Sequence, residues 1–78
     1  MKVKLSGVKN VAIGGDHIRL DSLLKYASIV STGGEAKFLI QGGEVYVGGV
    51  VCTQRGRKLR NGDVVRYDGM TLIVKESS

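Results

Sequence analysis

The sequence predicts an α+β fold, a hairpin of two short helices packed on a small, mainly antiparallel β-sheet. Leucine and alanine recur at helical spacing between residues 20 and 40, and apolar and polar residues alternate after residue 44. Pairs of glycines separate these segments, and the chain has no proline. With 78 residues, the chain is long enough for one domain with a single small core.

The N-terminal segment, residues 1–10, is basic, and its Val3 and Leu5 fit either a strand or a loose arm. The stretch "VAI" at 11–13 is a better strand candidate, because the turn residues Gly14 and Gly15 follow it. We therefore divide the chain into a basic strand or arm over residues 1–10 and a single domain over residues 11–78.

Two amphipathic helices follow. Leu20, Leu23, Leu24 and Ala27 are spaced i, i+3, i+4 and i+7, which predicts a helix over residues 21–29. Asp21 is suited to its N-cap or its first turn, where a carboxylate faces the positive end of the helix dipole.

The second helix is predicted over residues 32–41. Thr32 and Glu35 match the S/T-x-x-E capping box, in which each side chain binds the other's free backbone N–H. Gly42 and Gly43 then stop the helix. The two helices should pack on each other through their apolar stripes, formed by Leu23, Leu24, Ala27, Ala36, Leu39 and Ile40.

The remaining chain has the pattern of strands. Val45 and Val47 alternate with polar residues, and a glycine pair then turns into Val50-Val51. Farther on, "VVRY" and "MTLIV" flank Asp68-Gly69, a two-residue connection typical of a β-hairpin.

The composition favours a polyanionic partner and gives no sign of catalysis. Net charge is +5 and the pI is about 9.7, whereas no run approaches the roughly 18 apolar residues of a membrane span. The single cysteine suits a reducing compartment, so we expect a cytoplasmic protein. His17 has no evident catalytic partner, and Cys52 fits a small core residue better than a nucleophile. We expect no enzyme activity, no metal, no cofactor and no small-molecule substrate.

The strongest charge feature is the stretch "TQRGRKLRNGD" at 53–63. It holds Arg55, Arg57, Lys58 and Arg60, four of the 12 Lys and Arg residues, with no acid between them. Such a block is either a solvated loop or an interaction surface, and four like charges favour the surface. The chain's four aromatic residues should be half buried, which, for a nucleic-acid partner, favours recognition of a folded shape over stacking on a single strand.

In order and spacing, several motifs resemble those of the S4-like RNA-binding domain. They are "RLDSLL" at 19–24, "TGGEAKFLI" at 32–40, "VYVGG" at 45–49 and "GDVV" at 62–65, and the resemblance runs over residues 11–75. The segments "STGGEAK", "QRGRKL" and "GDVV" resemble most the small, stand-alone bacterial members. Gly33 stands where the family has an Arg, and Gly48 where it has an Asn that permits φ > 0.

The resemblance implies an S4-like fold (the alpha-L motif) and binding to ribosomal or transfer RNA by the helix pair and the adjoining basic loop. We expect a monomer that works on the ribosome or another structured RNA, away from membranes. A protein adaptor whose basic loop docks an acidic partner is the alternative function. The candidate RNA-binding residues are Arg19, Lys25, Thr32, Gly33, Gly34, Lys37, Arg55, Arg57, Lys58 and Arg60.

Overall fold

A computed structural model describes residues 7–76 of the chain. The elements, in chain order, are β1 (Gly7–Ile13), β2 (Ile18–Arg19), α1 (Leu20–Tyr26), α2 (Gly33–Gln41), β3 (Tyr46–Val47), β4 (Val50–Val51), β5 (Lys58–Leu59), β6 (Val64–Tyr67) and β7 (Met70–Glu76). The predicted α+β fold is confirmed: two helices pack with a mainly antiparallel sheet.

The main sheet has five strands in the order β1-β7-β6-β3-β4. Among the strands of residues 7–76, only the β1–β7 pair is parallel; it joins Gly7 with Met70 at one end and Ile13 with Glu76 at the other. Strands β2 and β5 form a separate antiparallel pair. Residues 7–10 therefore continue the strand predicted at 11–13, whereas Val3 and Leu5 lie outside the described residues.

The sheet has one buried and one open face, because side chains alternate along each strand. Val11, Val65, Leu72 and Val74 are buried and join both helices in a single core. Residues at the alternate positions, such as Arg66 on β6, are exposed or only partly buried. We call this second side the outer face.

Helix α1 is shorter than the predicted 21–29. Its N-cap is Arg19, and Asp21 occupies the first turn, so the N-cap alternative for Asp21 is wrong and the first-turn alternative is right. Helix α1 ends because Ser28 takes a positive φ of 62°, while the Ile29 N–H donates to the Leu24 carbonyl at 2.9 Å. These are the features of a Schellman C-terminus, here with serine in the left-handed position.

Helix α2 begins and ends close to the predicted bounds, but its capping box differs in one bond. Thr32 Oγ1 accepts from the Glu35 N–H at 3.1 Å, as predicted. The Glu35 carboxylate, however, accepts from the N–H of Ser31 at 3.0 Å, one residue before the expected partner. At the other end, Gly43 takes a φ of +78°, as a glycine stop requires.

Both predicted β-turns are present. Gly48 and Gly49 connect β3 to β4 with φ values of 60° and 85°, and Asp68 and Gly69 connect β6 to β7 with φ values of 48° and 84°. Two successive positive φ values define a type I′ turn, whose twist matches that of the flanking strands.

Candidate nucleic-acid interface

One buried side chain anchors the basic loop of residues 53–60. Leu59 is completely buried, and β5 holds it opposite Ile18 of β2. The same pairing places Lys58 directly opposite Arg19. Two cations that are far apart in the sequence therefore become neighbours on a rigid two-stranded ribbon.

Backbone hydrogen bonds fix the loop further. The N–H of Leu20 donates to the Arg57 carbonyl at 2.8 Å, and the N–H of Asp21 donates to the Arg55 carbonyl at 3.1 Å. The first N–H groups of a helix lack partners within the helix, and the N-cap side chain of α1 makes no capping bond. The loop thus caps α1 with its own carbonyls. It is not the wholly solvated turn that the sequence alternative described.

The cations of the loop point to solvent. Arg55, Arg57 and Lys58 are exposed, and within residues 7–76 none of them is in an ion pair. Arg19 is paired with Asp21 at 3.1 Å but keeps about half of its side chain exposed. The Arg19 guanidinium also lies 3.6 Å from the position that a Cβ atom on Gly56 would occupy. We call Arg19, Arg55, Arg57 and Lys58 the basic ridge.

Arg60, the fourth cation of the stretch, has different surroundings. Its backbone N–H donates to the Asp63 carboxylate at 2.8 Å. Its positive charge helps to lower the pKa of Asp16. His17 donates a hydrogen bond to Asp16 at 2.7 Å, and this bond, with the charges of His17 and Arg60, lowers the pKa of the Asp16 carboxyl. Arg60 lies beyond Leu59, where β5 ends, and near the Asp16 carboxylate, so we do not include it in the basic ridge.

The other predicted site residues lie on the helices away from the start of α1. Lys25 is exposed in the last turn of α1, and Lys37 is exposed on α2. Thr32, Gly33 and Gly34 form the start of α2, where the Glu35 carboxylate already binds a backbone N–H. A phosphate there would meet the negative charge of Glu35, so the anion site at this helix end stays a prediction.

The aromatic residues differ from expectation. Phe38 is 77% exposed and Tyr26 is 63% exposed, so the prediction that both are half buried is wrong. Tyr46 is 44% exposed on β3, directly opposite Arg66 of β6. Sequence reasoning named neither Tyr46 nor Arg66 as a site residue. The alternation in "EVYV" and "VVRY" gave their outward direction, but not the register that pairs them.

Cys52 is a core residue, as predicted. It is buried, its N–H donates to the Val45 carbonyl at 2.9 Å, and its thiol is 3.7 Å from the Gln54 carbonyl. In the part of the chain that the structure describes, no cluster of three or more His, Cys, Asp or Glu side chains could hold a metal. Likewise, none of the helices over residues 7–76 is long and apolar enough to cross a membrane.

This chain combines a two-helix unit, whose first helix is capped by a basic strand loop, with a small mixed sheet, the α+β arrangement expected of an S4-like domain. The family model described as S4 domain matches residues 11–75, and the chain belongs to this family. The resemblance inferred from the four sequence motifs is therefore confirmed.

Two individual proteins are also similar. A probable ribosome maturation protein, RlbA, of Bacillus subtilis (strain 168) is 39% identical over 59 residues, which cover 76% of this chain and 83% of the relative. The solution structure of YbcJ from E. coli superposes with a TM-score of 0.68 at 30% identity, covering 96% of each chain. That structure was described as revealing an αL motif involved in RNA binding.

Proposed function

We propose that this protein is a small, non-catalytic RNA-binding module that recognises structured RNA by phosphate contacts from the basic ridge. The anchoring of the ridge is the observation that carries the proposal: the Arg55 and Arg57 carbonyls bind the start of α1, and Leu59 is buried in the core. The description of YbcJ as carrying an RNA-binding motif supports the choice of RNA, and the name of RlbA supports a ribosomal RNA during ribosome maturation. A monomer in the cytoplasm is part of the proposal.

The physical basis is electrostatic. Each Lys or Arg that neutralises a phosphate releases a condensed counterion, which gives affinity with little information on base sequence. Because backbone bonds already hold Arg55 and Arg57, binding orders only their side chains and not the loop. A fixed array of cations selects for the spacing of phosphates, and therefore for the shape of a folded RNA.

The test is the salt dependence of binding to RNA hairpins, ribosomal fragments among them. Replacing Arg55, Arg57 and Lys58 by Gln leaves the backbone bonds and Leu59 in place, so the protein should stay folded. Binding to every hairpin should weaken by a similar factor. The slope of log K against log salt should become shallower by about 0.7–0.9 per contact, or roughly 2–3 for the three together.

A matched control is available on the main sheet. Lys9 is exposed on β1 and lies beside Tyr26 at the C-terminal end of α1, whereas the ridge lies at the start of that helix, and Lys9→Gln removes one charge just as Arg57→Gln does. The control should change the slope far less than Arg57→Gln. If the triple variant binds hairpins as tightly as the parent at about 0.15 M salt, where charges are screened beyond roughly 8 Å, the ridge is not the RNA site. Loss of an acidic protein partner with RNA binding intact would favour the adaptor function instead.

A further inference from the structure

A shallow depression of about 350 Å³ lies on the outer face of the sheet, separate from the basic ridge. Its lining runs from Gly49 in the β3–β4 turn to the Asp68-Gly69 turn, with Tyr46, Arg66 and Tyr67 between them. Clefts of this size are large enough for a small ligand or part of a polymer. Tyr46 and Arg66 face the depression, whereas the ring of Tyr67, the next residue of β6, packs against the core on the other side of the sheet.

Tyr46 and Arg66 form the centre of the depression. They are direct partners in the antiparallel β3–β6 pair, so their Cβ atoms stand about 4.5–5.5 Å apart on the same face. Their neighbours Val47 and Val65 are buried on the other side, which fixes both Tyr46 and Arg66 toward solvent. An exposed ring beside a guanidinium offers a flat surface for a base and a cation for its phosphate.

The charges around the depression indicate which part of a nucleotide enters where. Burial raises the pKa of the Tyr67 hydroxyl, and the negative charges of Glu44 and Asp68 raise it further. Of these two carboxylates, Asp68 lines one end of the depression and would repel a phosphate there. Arg66 is the cation of the depression, so a phosphate belongs beside it and an uncharged base beside the exposed Tyr46 ring.

We propose that the outer face of the sheet holds a subsite for single-stranded RNA, in which an unpaired base stacks on Tyr46 and its phosphate contacts Arg66. The inference rests on the proposed function, because the subsite would take the unpaired segment that flanks a structured RNA bound at the basic ridge. A basic peptide is the competing occupant, but Arg66 would oppose it at the centre of the depression. Single-strand stacking thus adds to shape recognition, which the sequence predicts as the main mode of binding.

The test compares one RNA hairpin with a blunt end against the same hairpin carrying an unpaired extension of several nucleotides. The parent protein should bind the extended hairpin more tightly, by about 5- to 140-fold for one well-stacked base. Tyr46→Ala should lose this increment and leave binding to the blunt hairpin unchanged. Tyr46→Phe keeps the ring and should keep the increment, and Tyr26→Ala, on α1, should also keep it. Arg66→Gln should reduce the increment and its dependence on salt.

A spectroscopic arm detects stacking without relying on affinity. The chain has three tyrosines and no tryptophan, so Tyr26→Phe with Tyr67→Phe leaves Tyr46 as the only tyrosine fluorophore. Its emission should be quenched by the extended hairpin and not by the blunt one. Circular dichroism of each variant checks that the fold is intact, and Tyr46→Phe covers the case in which Tyr46→Ala unfolds.

The outcomes separate this inference from the proposed function. If the parent binds neither hairpin, the proposed function fails. If the parent binds both hairpins equally, or Tyr46→Ala keeps the increment or weakens both hairpins alike, the subsite is refuted while RNA binding stands. If a lysine- and arginine-rich peptide binds the parent and not Tyr46→Ala, and the RNA extension adds nothing, the face is a protein-docking surface and the inference is overturned.

Discussion

Leu59→Ala tests whether the position of the basic ridge depends on the core. Leu59 is fully buried next to the exposed Lys58, and it is the residue of β5 that enters the core. Truncation removes its apolar contacts and leaves a cavity at the base of the loop. The variant changes no charge, so any effect on the RNA binding of the folded variant must come from loss of order in the basic ridge.

The expected cost is about 2–5 kcal/mol, as for other fully buried leucines. A domain of this length has a total stability of roughly 4–12 kcal/mol, from about 0.05–0.15 kcal/mol per residue. At the middle of both ranges the variant keeps about 4.5 kcal/mol of stability, so it should remain largely folded but with a much lower urea midpoint. Lys58→Gln, one position earlier, should leave the midpoint almost unchanged because its side chain is exposed.

Urea unfolding and RNA binding, measured on both variants, give opposite patterns if the reasoning holds. Leu59→Ala should lose stability and weaken RNA binding while the salt slope per bound molecule changes little. Lys58→Gln should keep its stability but have a slope shallower by about 0.7–0.9. A Leu59→Ala protein that unfolds at the parent's urea concentration would refute the claim that this leucine anchors the loop.

Three further predictions concern the cap of α2, the loop glycines and alkaline pH. Thr32→Ala should lower the free energy of unfolding by about 0.5–2 kcal/mol, because the Glu35 N–H loses its acceptor at 3.1 Å. Thermal unfolding measures this loss. Unchanged RNA affinity of the folded variant would indicate that the cap is purely structural. Gly56→Ala should be tolerated, because the added carbon meets only Arg19 at 3.6 Å. Gly62→Ala should destabilise the protein by about 1–2 kcal/mol, because Gly62 has a φ of +94°. Equal urea midpoints for the two variants would contradict the backbone geometry. The pKa of Tyr67 is raised above 10.0 in the folded state, so the folded protein holds the hydroxyl proton more tightly than the unfolded chain does. The stability that this proton contributes is therefore present below pH 10 and is lost as the pH rises through the folded-state pKa. Tyr67→Phe should remove that part of the alkaline loss, which urea unfolding of both proteins from neutral pH to above pH 10 would detect.

The sequence by itself determined the features that depend on neighbouring residues. The apolar stripes of both helices, the bond from the Glu35 N–H to Thr32, the glycine stop at Gly43 and the Asp68-Gly69 turn all follow from side chains a few positions apart. Local sterics and short hydrogen bonds set these features, so they can be read from a short window of sequence. The cluster of charge at residues 55–60 was equally visible, since it is a matter of composition.

The tertiary structure alone decided how these parts meet. The bonds that cap α1 run to backbone carbonyls of Arg55 and Arg57, and every residue has such a carbonyl, so no residue pattern marks them. In the same way, Arg19 joins the ridge and Tyr46 faces Arg66 only because strands distant in sequence pair in a particular register. That register comes from burying one face of every strand in a common core, a property of the whole chain and not of any segment.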